Sequence, residues 1–103
     1  MTFKIKQDPT FKGSIKLKSL GREQTLNVTY RAVTASEYDK LVEARRTDDD
    51  RGEKAFLALV ESWDADMPLD AESVGLLNEH QPGAVWQVVL HYGQSLLAER
   101  TGN

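Results

Sequence analysis

Two stretches of strict alternation between apolar and polar residues constrain this chain more than anything else in it. In residues 11–18, Phe11, Gly13, Ile15 and Leu17 fall on one face, and Lys12, Ser14, Lys16 and Lys18 on the other. Residues 25–31 repeat the pattern, with Leu26, Val28 and Tyr30 opposite Thr25, Asn27, Thr29 and Arg31. A period of two marks a strand buried on one side. Between the two runs lies Ser19-Leu20-Gly21-Arg22-Glu23, where Gly21 supplies the positive φ that a tight hairpin loop needs. An antiparallel hairpin over residues 11–33 is therefore expected, its outward lysines discouraging stray strand pairing. A two-stranded ribbon is marginal alone, so later residues must cover its apolar face.

From Thr34 onward the period changes to that of helices. Thr34-Ala35-Ser36-Glu37 fits a capping box, with Val33 and Tyr38 placed to close a hydrophobic staple. Tyr38, Leu41, Val42 and Arg45 follow at helical spacing, and Arg45 and Arg46 suit the negative end of the dipole near residue 46. The acids of Thr47-Asp48-Asp49-Asp50-Arg51-Gly52 are adjacent rather than alternate and no Glu closes a calcium loop, so they read as the start of the next helix. That helix is expected from about residue 53 to 62 or 63, with Phe56, Leu59, Val60 and Trp63 as its inner stripe. Pro68 ends it. Asp70 is the expected N-cap of a short third helix with Val74 and Leu77 inward and Leu69 able to staple onto Val74, ending near residues 78–80.

Pro82 is read as the first residue of a last helix reaching about residue 100. Its apolar positions cover more than one stripe. Val85, Val89, Tyr92 and Leu96 make one face, and Trp86, Leu90 and Leu97 extend it. Such a helix is central to a core or carries a contact surface. Gly93 interrupts it, at a cost of about 1 kcal/mol against Ala that a closely packed neighbour or partner would offset. Tyr38 and Trp63 are expected in the core. The fold class is α+β: an N-terminal two-stranded hairpin and a bundle of about four helices. The organisation is a flexible arm, 1–10, and a single domain, 11–103, divided into a hairpin (11–33) and a helical part (34–101).

With 103 residues, one domain is expected. The absence of cysteine excludes disulfide scaffolds, thiolate metal sites and cysteine nucleophiles. No apolar run approaches the roughly 18 residues of a membrane span, and residues 1–6 lack the apolar stretch of a signal peptide, so the expected compartment is the cytoplasm. The net charge of −3 is unevenly divided, residues 1–34 carrying +5 and residues 35–103 carrying −8. Either the halves attract one another and solvate separate surfaces, or one half meets a partner. The strongly acidic remainder repels phosphate, which argues against nucleic acid.

Enzymatic chemistry is thinly supplied. His80 and His91 have no neighbour at metal-ligand spacing; His80 is expected in a connection exposed to solvent and His91 at a surface or interface. Ser95 has no G-x-S-x-G elbow around it, and Gly21 and Gly52 are too isolated to form a phosphate loop. Asp64 and Asp66 are loop carboxylates without a desolvating pocket. No catalytic, cofactor-binding or metal residue is therefore expected.

The order of short motifs is more telling. Pro9-Thr10-Phe11 leads into the lysine-lined hairpin, then come the capped helix, Trp63-Asp64 with Pro68 nearby, Pro82-Gly83-Ala84, and an aromatic-rich helix ending in Ala98-Glu99-Arg100-Thr101-Gly102-Asn103. Over nearly its whole length the chain resembles the small tail assembly chaperones of long-tailed bacteriophages and prophages. The resemblance implies a non-enzymatic protein that coats the long, helical, aggregation-prone tape measure protein, keeps it soluble until tail tube protein polymerises around it, and is not retained in the virion. Trp86, Leu90 and Leu97 are then the expected contact residues, with self-association possible through the hairpin and no role for membrane or nucleic acid. The alternative is a structural subunit for tail completion or head–tail joining.

Overall fold

In the computed structural model, which describes residues 2–48 and 50–98, the two alternating stretches form strands β1 (Thr10–Ser19) and β2 (Arg22–Arg31). They pair antiparallel along their full length, with Phe11 opposite Tyr30, Gly13 opposite Val28 and Ile15 opposite Leu26. Ser19 pairs with Arg22, so the loop is only Leu20-Gly21. Both residues are left-handed, with φ of 54° and 80°. This is the primed-turn geometry whose twist matches that of the strands it joins.

Helix α1 spans Ala35–Asp48. Its start is capped as expected: Thr34 Oγ1 accepts from the Glu37 amide at 3.2 Å and donates to the Glu37 carboxylate at 3.1 Å. It runs two residues beyond the expected end, and Arg45 lies over the Trp86 ring rather than along the helix terminus. Residue 49 and the side chain of Arg46 lie outside the described residues. Helix α2 spans Glu53–Leu59. The expected acidic start belongs to Asp50, whose carboxylate accepts from the amides of Gly52 and Lys54 at 3.0 and 3.1 Å.

Residues 60–63 depart from the expected helix. In place of the end of a helix they form strand β3 (Val60–Trp63), which pairs antiparallel with β2 and makes a three-stranded sheet in the order β1-β2-β3. The cause is Arg31. Its Nη1 donates to the carbonyls of Leu57 (3.2 Å), Ala58 (3.4 Å) and Val60 (3.2 Å), satisfying acceptors that another helical turn would have used. On the outer sheet face, Asp64 then ties β3 to β2. Its two carboxylate oxygens accept from the backbone amide and side-chain amide of Asn27, at 2.9 and 2.7 Å, while Ser14 Oγ donates to Asn27 Oδ1 at 2.6 Å.

Helix α3 (Ala71–His80) is capped by Asp70, whose side chain accepts from the Ser73 amide at 2.9 Å. Helix α4 (Ala84–Leu96) begins after Gly83, which is left-handed at φ 90°. Pro82 therefore stands outside the helix rather than at its first position, and the helix stops at Leu96, short of the expected end. The expected tail at 99–103 lies outside the described residues. Val85, Val88, Val89 and Tyr92 of α4 are fully buried against Ile15, Val28 and Tyr30 of the sheet and Phe56, Leu59, Val60 and Val74. Each such side chain contributes about 1.5–3 kcal/mol by leaving water. The last helix is thus the cover that the hairpin requires.

Candidate client-binding surfaces

Three tyrosines lock α4 in register against the rest of the fold. Tyr30 from β2 donates its hydroxyl to the Val88 carbonyl at 2.9 Å, and Tyr38 from α1 donates to the Val89 carbonyl at 2.9 Å. Tyr92 returns the contact, donating to the Arg31 carbonyl at 2.8 Å and accepting from the Val33 amide at 2.7 Å. Their rings pack together: Tyr30 meets Tyr92 edge-on at 4.9 Å, Tyr38 stacks on Tyr92 at 5.5 Å, and Phe11 closes the cluster at 5.1 Å from Tyr30. Burial raises the pKa of all three hydroxyls. His91, expected at a surface or interface, stacks half-buried on Tyr30, with Nδ1 3.1 Å from its hydroxyl. Tyr38 and Trp63, expected in the core, are half-buried at its margin.

With one side of α4 fixed this way, its other flank is defined. Leu90 is 38% exposed and Leu97, at the helix C-cap, 72% exposed. Trp86, one turn before Leu90, is half-buried. Its indole lies under the Arg45 guanidinium, 4.2 Å from the ring centroid, and against Gly52, where a Cβ would come within 2.8 Å of the ring. The flank therefore combines a cation-covered aromatic ring with two uncovered leucines.

A second surface was not read from the sequence. A groove of about 470 Å³ opens between the distal half of the hairpin, the β3–α3 loop and α3. Leu17, Leu26, Trp63, Met67, Leu76 and Leu77 give it an apolar lining, with Arg22, Asp64, Asp66 and His80 also bordering it. Trp63 is oriented by its Nε1–H, which donates to the Met67 carbonyl at 2.8 Å, and by edge-on contact with Phe56. The double hydrogen bond from Asn27 lowers the Asp64 pKa and keeps that carboxylate charged. The groove exists because β3 and its loop fold back beside β2, so its signal was hidden with the third strand. Asp64 and Asp66 stand exposed there. Among the described residues, no group of three or more His, Asp or Glu could hold a metal ion, and no helix is long and apolar enough to cross a membrane.

The small α+β scaffold thus presents two partly apolar surfaces, the α4 flank and the groove beside β3. The family model of phage tail assembly chaperones matches residues 1–103, the whole chain, and the chain belongs to that family. No curated protein matches it. No solved structure matches it either.

Proposed function

We propose that this chaperone binds the tape measure protein, keeps it soluble in the host cytoplasm and helps recruit tail tube protein, performs no bond chemistry, and is left behind when the tail is complete. The observation that carries this reading is the flank of α4, where the exposed Leu97 and the partly exposed Leu90 lie beside the half-buried Trp86. An amphipathic client helix buries its stripe against such a flank. Each copy offers little area, so each contact is weak and reversible, and many copies on one rod gain by multivalency. The acidic helical half, at −8, keeps the coated client in solution.

Co-expression with a tape measure protein tests the reading. The client becomes soluble with the parent chain and returns to the pellet with Leu90→Asp/Leu97→Asp. A client equally insoluble with the parent chain, or this protein at fixed copy number in purified virions, overturns it. The latter result assigns a structural subunit instead.

A further inference from the structure

Residues 3–6 carry two large apolar side chains almost wholly in solvent. Phe3 and Ile5 are 88% and 90% exposed, and Lys4 and Lys6 alternate with them. This is a strand-like pattern with nothing of its own chain beneath it. The arm is anchored just behind: the Ala32 amide donates to the Pro9 carbonyl at 2.9 Å, and Gln7 Nε2 donates to the Val33 carbonyl at 3.1 Å. It therefore leaves the molecule at the open end of the hairpin.

The groove lined by Leu17, Leu26 and Met67 lies toward the opposite end. Leu17 is seven residues along β1 from Thr10, about 24 Å at strand rise. Phe3 lies four residues from the anchored Gln7, a reach of about 14 Å fully extended. The arm is too short to fill its own groove, yet its chemistry matches it. Two apolar side chains meet an apolar lining, and two lysines meet the exposed carboxylates of Asp64 and Asp66.

We propose that the arm of one copy seats in the groove of the next, Phe3 and Ile5 against Leu17, Leu26 and Met67, Lys4 and Lys6 toward Asp64 and Asp66. The contact is head-to-tail. Each copy that receives an arm still offers its own, so the assembly grows as a ring or an open helix rather than stopping at a symmetric dimer. The interface uses the groove and leaves the α4 flank uncovered, so it does not depend on the client reading above.

Light scattering on size-separated full-length protein tests this. The parent chain increases in mass with concentration. Phe3→Ser/Ile5→Ser, which lacks a competent arm, and Asp66→Lys/Met67→Lys, which lacks a competent groove, each remain monomeric. All four residues are exposed, and the circular dichroism melts should coincide with the parent's. An equimolar mixture of the two variants yields a species of twice the monomer mass and nothing larger, because one intact arm meets one intact groove. A parent chain that is monomeric throughout, an arm variant that assembles like the parent, or a mixture that stays monomeric overturns the proposal. An arm variant that assembles normally beside a groove variant that fails to solubilise the client assigns the groove to the client instead.

Discussion

Tyr38 reaches α4 at the one position where the helix has no side chain to hold it off: its hydroxyl donates to the Val89 carbonyl at 2.9 Å, and a Cβ on Gly93 would lie 2.5 Å from that oxygen. The glycine that weakens the helix thus permits the contact that fastens α1. Gly93→Ala should gain about 1 kcal/mol of helix propensity and lose about 1–3 kcal/mol to overpacking. We expect a net loss of about 1 kcal/mol by urea denaturation. Adding Tyr38→Phe should cost less in the Gly93→Ala background than in the parent. Strict additivity would show that the two residues do not meet.

Leu20 is 96% exposed in a left-handed conformation at φ 54°, where an ordinary L-residue is strained by about 1–2 kcal/mol. Leu20→Asn restores the Asn-Gly pair favoured by this turn. It should raise stability by about 0.5–1 kcal/mol, read as an increase in the urea midpoint at constant m-value. A decrease would mean that Leu20 has a contact worth more than the strain.

Arg31→Ala removes the donor shared by Leu57, Ala58 and Val60. A loss of about 1–2 kcal/mol is expected, with amide exchange at β3 accelerated more than exchange at β1. Uniform acceleration across the sheet would contradict a role specific to the helix-to-strand switch.

How much of this was legible in the sequence follows from where each signal resides. The hairpin was legible because alternation over seven or eight residues marks which face is buried, and Thr34 and Asp70 because a cap is a local hydrogen bond. Strand β3 was not, since Leu59, Val60 and Trp63 satisfy helical spacing equally well. What favours the strand is tertiary, pairing with β2 and the Arg31 guanidinium almost thirty residues earlier, contacts that no local window contains. Pro82 suffered a similar reversal: Gly83 turns the chain left-handed at φ 90°, and the helix starts only after it. The flank bearing Leu90 and Leu97 could be suspected from excess apolarity, but the groove needed the placement of the β3–α3 loop.

Alkaline pH should unfold the protein through its tyrosines. Their pKa values are raised in the fold, above an unfolded value near 10.0. Stability is therefore complete below pH 10 and declines above it, as the unfolded chain releases protons that the folded chain retains. Tyr30→Phe should cost about 1 kcal/mol at neutral pH and flatten the alkaline slope. At the acid end the sign reverses. The Asp64 carboxyl is held below its ordinary value by Asn27, so its contribution is present above about pH 4 and fades as pH falls. Asn27→Ala should reduce the acid-side loss. An unchanged slope in either variant would remove that residue from the account.

Trp86→Ala separates packing from contact. The indole covers Gly52 beneath Arg45, so about 2 kcal/mol of stability should be lost, near half the value for a fully buried ring. Leu90→Asp, at a side chain only 38% exposed, should cost about 1 kcal/mol, roughly 4–8 °C in melting temperature, less than the loss from Trp86→Ala, while reducing client capture.

The polypeptide is completed in an awkward order. Tyr30 finds its acceptor on Val88, fifty-eight residues later, so during synthesis the ribbon emerges from the ribosome long before its lid exists. Until α4 clears the exit tunnel, the half-made chain displays an uncovered apolar sheet face. Shortening that wait, for example by rearranging the termini so that α4 is translated first, should reduce aggregation of the nascent protein without altering a single contact in the finished one.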